Sequence, residues 1–74
     1  MMTTPIIINT DFITLGCFLK YSKIITNGGQ AKTFLSTNEV LINGKIENRR
    51  GKKMRSGDLV IVQNKQYIIQ AKGY

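Results

Sequence analysis

The chain has 74 residues, with eleven cations against four acids, a formal net charge of +7 and no histidine. One cysteine excludes an internal disulfide framework, and four scattered acids without a histidine exclude a zinc site and leave little for general acid–base catalysis. A chain this short buries only about 60% of the surface it exposes when unfolded, so one small core and one domain over residues 1–74 are expected.

The first segment has no cationic start and only three consecutive isoleucines, Ile6 to Ile8, too few for a signal peptide or a membrane span. A cytoplasmic protein with no membrane partner is therefore expected, and the lone Cys17 fits a reducing compartment. Pro5 to Asn9 reads as a short strand, because β-branched residues pack well on a pleated surface. Thr14 is placed to cap a helix in which Leu15, Phe18 and Leu19 form an apolar stripe, with Ser22 at the same spacing. Phe12, just before it, is expected to help close the core, and Cys17 to pack as a small inert residue. Lys20 and Lys23 fall on the solvent side, and Asn27-Gly28-Gly29 is expected to stop this helix.

A second short helix is expected from about Gly29 to Thr37, with Ala31, Phe34 and Leu35 inward and Lys32 projecting near its start. Val40 to Ile42, the pair Asn43-Gly44 and Lys45-Ile46 read as a tight hairpin, since both turn positions need positive φ. A loop hinged at Gly51 follows, then a turn at Ser56-Gly57-Asp58. Leu59 to Val62 and Gln66 to Gln70 then form a closing hairpin. Together these make an α+β fold, two short helices packed on a small antiparallel sheet.

The charge is concentrated. Between Lys45 and Arg55 six cations face one acid, a surplus of five out of the net seven. Such a field attracts polyanions, above all nucleic acid. The forked guanidinium groups of Arg49 and Arg50 suit phosphate, and Lys45, Lys52, Lys53 and Arg55 add less directional contacts. The competing reading is internal pairing of these cations, Arg55 especially, with Glu47 or Asp58. Tyr21, beside Lys20, reads as surface packing, while Tyr67 and Tyr74 do not suggest a platform for stacked bases.

Four stretches resemble the S-four RNA-binding domain: Thr14-Leu-x-x-Phe-Leu-Lys, Asn-Gly-Gly-x-Ala-Lys, Glu39-Val-x-Ile-Asn-Gly44 and Arg-x-Gly-Asp58-x-Val-x-Val. The resemblance covers about residues 12 to 62 and is strongest to free-standing bacterial YaaA-type members. It implies an αL motif, a helix pair followed by a strand, that grips structured RNA. Carried over, the RNA-facing positions are Thr14, Lys20, Gly29, Lys32, Asn43, Lys45, Arg49, Arg50, Lys52 and Lys53, and Lys23 and Arg55 join the expected site on their charge. Many members have Arg-Leu-Asp where this chain has Thr14-Leu15-Gly16, and an Arg-Ser pair where it has Gly28-Gly29. Binding here is thus expected to lean on the loop.

A monomer with no enzymatic role, cofactor or small-molecule substrate is expected. The resemblance implies binding to ribosomal RNA or ribosomal particles and a role in ribosome assembly or maintenance. Two rivals stay open. One is a helix-turn-helix DNA-binding protein, for which the second helix offers only Gln30 and Lys32. The other is an adaptor whose basic loop docks an acidic protein.

Overall fold

The computed structural model describes residues 2–72, so the expectation for Tyr74 lies outside the described residues. In chain order the elements are β1 (Thr3–Ile8), β2 (Ile13–Thr14), α1 (Leu15–Tyr21), a 3-10 turn (Gly28–Gln30), α2 (Ala31–Thr37), β3 (Val40–Ile42), β4 (Lys45–Ile46), β5 (Lys53–Met54), β6 (Leu59–Val62) and β7 (Lys65–Ala71). Five strands form one sheet in the order β1-β7-β6-β3-β4, and β2 and β5 form a separate two-stranded ribbon. The α+β class holds.

The sheet is mixed rather than antiparallel. β3, β4, β6 and β7 pair antiparallel, but β1 lies parallel to β7, with Thr3 opposite Gln66 and Ile8 opposite Ala71. Its neighbour is the last strand of the chain, which no local pattern reveals. Pro5 is tolerated because β1 is an edge strand, where a missing N–H breaks no ladder. Within β1, Ile6 and Ile8 are buried and Ile7 is exposed, the period-two alternation of a strand with one covered face.

Both helices pack on that covered face. Leu15, Phe18 and Leu19 from α1 join Ala31 and Leu35 from α2, and Val40, Val60, Val62 and Ile69 from the sheet, in one buried cluster. Phe18 meets Tyr67 edge to face, with ring centroids 5.1 Å apart at 79°, the arrangement favoured by aromatic quadrupoles. Phe34 is half-buried against the cluster.

The end of α1 differs from expectation. The helix stops at Tyr21, and Ser22 is its C-cap, several residues before Asn27-Gly28-Gly29. Lys23 takes the left-handed conformation, φ 64°. The Ile24 amide donates to the Leu19 carbonyl at 3.0 Å and the Lys23 amide to the Lys20 carbonyl at 3.1 Å. These two bonds are a Schellman motif with lysine at the position glycine usually holds. Half-buried Ile24 supplies the hydrophobic contact that completes it. Replacing a residue strained at positive φ should relieve about 1 kcal/mol. Lys23→Gly is therefore expected to raise the thermal midpoint by about 4–8 °C, read by circular dichroism. A lowered midpoint would mean that the lysine side chain stabilises this turn.

The Asn43-Gly44 turn behaves as expected, whereas the last hairpin is tighter than expected. Asn43 and Gly44 both have positive φ, 52° and 84°, as a two-residue hairpin of this hand requires. Gln63 and Asn64 repeat the device between β6 and β7, so β7 begins at Lys65.

Candidate nucleic-acid interface

Thr14 caps α1 as expected, its hydroxyl accepting from the Cys17 amide at 3.3 Å. The next two free amides find partners far along the chain. Leu15 donates to the Lys52 carbonyl at 2.8 Å, and Gly16 to the Arg50 carbonyl at 2.9 Å. A helix start leaves its first amides without internal partners, and here the basic loop supplies them. Pairing of Ile13 with Met54 and of Thr14 with Lys53 in the β2–β5 ribbon continues the seam. Met54 is fully buried between the exposed Lys53 and Arg55. The cationic segment is thus stapled to the first helix rather than hanging from Gly51 as a free arm.

Gly16 allows this close approach. A Cβ there would lie 3.4 Å from both the carbonyl oxygen and the Cβ of Arg50, and 3.6 Å from the Cβ of Ala31. A side chain longer than alanine would have to push the loop off the helix. Gly16, Met54 and the ribbon were absent from the expected site. The available signal was the single apolar residue alternating with cations in Lys53-Met54-Arg55.

The expected site residues fall into groups. Arg49, Gly51, Lys52, Lys53 and Arg55 line an open cavity of about 580 Å³. Lys52 also lines a second cavity with Asn43, Lys45, Glu47 and Asp58, so it joins the two. Thr14, Gly16, Cys17, Lys20, Gly28 and Arg50 share a third groove, of about 350 Å³, between the start of α1 and the 3-10 turn. Cys17 is exposed there, contrary to the expected packing role, because helix position 17 points away from the stripe of Leu15, Phe18 and Leu19. Gly29 turns to another groove, beside Gln30 and Phe34. Lys23, in the turn after α1, and Lys32, on α2, are exposed and outside the three cavities around the loop.

Two expected contacts are committed inside the fold. The Asn43 side chain donates to Asp58 Oδ1 at 3.0 Å and accepts from the Leu59 amide at 3.0 Å, tying the hairpin turn to the start of β6. Arg49 forms the one ion pair among the described residues, its Nε 2.9 Å and its Nη2 3.2 Å from the Glu47 carboxylate. Internal pairing therefore falls on Arg49 and not on Arg55. Asp58 instead accepts from the Arg55 backbone amide at 2.8 Å, leaving that guanidinium outside any ion pair.

Arg49's hydrogen bond holds the Glu47 carboxyl at about 2, down from its ordinary 4.5. The same contact makes Arg49 hold its proton more tightly. A lowered carboxyl pKa stabilises the fold fully above the ordinary value, and the contribution fades as pH falls through about 2. Because the Arg49 side chain is largely exposed, solvent screens the pair and that contribution is small. Carboxyl-carbon NMR of Glu47 should titrate near 2 and return toward the ordinary carboxylate range in Arg49→Ala. An unchanged midpoint in the variant would remove Arg49 as the cause.

Phe12 is more exposed than expected. It does not close the core but lies under two cations, with Lys53 Nζ 4.8 Å and Arg55 Cζ 5.8 Å from its ring centroid. Tyr21 is exposed and Tyr67 is buried, so neither departs from the sequence reading. No helix among the described residues is long and apolar enough to cross a membrane.

Comparison with known proteins matches this arrangement to one family. The profile of the S4 domain aligns with residues 6–70. The probable ribosome maturation protein RlbA of Bacillus subtilis (strain 168) is 52% identical over 62 residues, covering 84% of this chain and 87% of that protein. With both helices, the basic loop and nearly the whole sheet inside the matched span, this chain belongs to the S4 domain family.

Proposed function

We propose that this chain is a non-enzymatic RNA-binding protein that docks on structured ribosomal RNA and serves ribosome maturation. The observation that carries the reading is the stapling of the cationic loop to α1 through the Leu15 and Gly16 amides. It makes one preformed surface of the helix start and the loop, so binding spends little free energy ordering a flexible arm. The 52% identity to a protein named for ribosome maturation supplies the biological direction.

In this reading the helix pair and the β3–β4 hairpin act as the αL motif. Lys20, Arg50, Lys52, Lys53 and Arg55 hold phosphates, with Lys45 at the margin, and Thr14 contributes through its position at the helix start. Asn43 shapes the hairpin, and Arg49 contributes only where a phosphate displaces Glu47. Lys23, Gly29 and Lys32 are peripheral. Phosphate contacts position the RNA without reading its sequence, and contacts to 2′-hydroxyl groups set RNA apart from DNA. A DNA-reading second helix is poorly supplied, because the Gln30 side-chain oxygen Oε1 already accepts from the Thr26 amide and hydroxyl. The protein acts as a cytoplasmic monomer, with no cofactor.

Fluorescence anisotropy against a ribosomal RNA hairpin, a single strand and duplex DNA, each titrated with salt, tests the proposal. Tightest binding to the RNA hairpin is expected, with affinity falling about 10²-fold between 50 and 200 mM salt if five phosphates are engaged. Equal weak binding to all three would overturn it and leave a general polyanion patch.

A further inference from the structure

We infer that the β2–β5 ribbon holds a stacking site for one unpaired nucleobase, with Phe12 as the platform and Lys53 and Arg55 as clamps on the adjoining phosphates. The inference rests on the RNA-binding reading and adds to it a preference for RNA with a displaced base.

Register builds the site. Ile13 pairs with Met54 and Thr14 with Lys53, so continuing the antiparallel ladder by one residue sets Phe12 opposite Arg55. Alternation then sorts the ribbon into two faces. Met54 is buried and Ile13 packs against the core on the inner face. Phe12, Thr14, Lys53 and Arg55 share the outer face.

A phenylalanine that merely filled space would be turned inward, as Phe18 is. Phe12 is instead 36% exposed, with Lys53 from β5 and Arg55 just after that strand both over its ring. Both distances fall within the roughly 6 Å reach of cation–π attraction, which orients the ring while leaving the residue exposed. Lys53 and Arg55 also line the open cationic cavity of about 580 Å³, which puts the exposed ring beside the proposed phosphate-binding groove.

An aromatic ring beside a cationic groove is the pairing that single-stranded nucleic-acid binders use, one for the base face and the other for the backbone. A fully paired stem offers phosphates but no free base face. A bulged or looped nucleotide offers both within one residue. The occupant is therefore an unpaired nucleotide carried in otherwise folded RNA.

The test uses the full chain and two sets of hairpins of equal length. One set has a fully paired stem, and the other carries a single unpaired adenosine stepped through successive stem positions. At its best position the bulged hairpin should bind about tenfold more tightly than the paired one, the scale of one base–aromatic stack. Phe12→Ala should erase that preference while keeping the affinity and salt slope for the paired hairpin. Phe12→Leu, which retains bulk on the ribbon, should behave the same way and guards against misfolding. The chain contains no tryptophan, so Phe12→Trp introduces a single indole whose emission the bulged hairpin alone should quench.

If the wild type binds both hairpins alike at every bulge position, and the Phe12→Trp emission does not change, the stacking site is overturned and RNA docking through the loop still stands. Failure to bind either hairpin would overturn both.

Discussion

Met54→Ala is expected to lower the thermal midpoint by about 10–30 °C and to weaken RNA binding, although no charge is removed. Met54 is fully buried and pairs with Ile13 across the ribbon, so truncation loses transfer free energy and leaves a cavity beneath the loop. Such deletions cost about 2–5 kcal/mol, against a total of roughly 4–11 kcal/mol for a chain of this length. Each kilocalorie moves the midpoint of so small a domain by about 4–8 °C. Met54→Leu conserves volume and should cost less than about 1.5 kcal/mol.

Hydrogen exchange separates local from global failure. The Leu15 and Gly16 amides are held by the Lys52 and Arg50 carbonyls, so release of the loop exposes them while the amides of β6 and β7 stay protected. Loss of protection at Leu15 and Gly16 first would place Met54 as the anchor of the loop. Simultaneous loss everywhere would make it an ordinary core residue. An unchanged midpoint would contradict its burial altogether.

The elements legible in the chain were those whose signal is local. The apolar stripe of α1, the Thr14 cap and the Asn43-Gly44 turn each follow from neighbours within a few residues, and each is found where expected. What escaped depends on partners distant in sequence. β2 and β5 are two residues each, too short for a period, and exist because the 38 residues between them fold the loop back onto α1. The parallel pairing of β1 with β7 joins the two ends of the chain. Lys23 hides a helix end because a left-handed turn usually announces itself by glycine.

The site was legible as a composition but not as a geometry. The run from Lys45 to Arg55 marked the cationic region, yet its charge alone did not separate Arg49, held by Glu47, from Arg50, which has no ion pair among the described residues. Nor did it show that the Asn43 amide is occupied by Asp58 and Leu59. Hydrogen-bond partners decide which polar groups remain free for a ligand, and partners are set by the fold. Phe12 escaped for the same reason. Its place before a helix suggested the core, whereas ribbon alternation turns it outward beside Lys53.

Arg50→Ala/Lys53→Ala is expected to weaken binding to a ribosomal RNA hairpin on the order of 30-fold at 0.1 M salt, without unfolding the protein. Both side chains are exposed and neither forms an ion pair among the described residues, so their loss leaves the core intact. Arg50 lies in the groove with Lys20, and Lys53 in the larger cationic cavity, so the pair samples both halves of the proposed surface. Each lost phosphate contact should flatten the plot of log affinity against log salt by about 0.7–0.9, and the double variant by about twice that.

The matched control is Lys65→Ala/Lys72→Ala, which removes the same charge from exposed positions at the two ends of β7. Net charge acts through a field that salt screens within about 10 Å at 0.1 M, so lysines that line none of the three cavities around the loop should change affinity only a few-fold and leave the slope nearly intact. Contacts act through released counterions and carry the slope with them. A steep loss confined to the first variant would tie binding to the surface stapled onto α1. Equal losses in both would mean that the protein binds RNA by its charge at large, and the arrangement of the loop would then be a feature of stability alone.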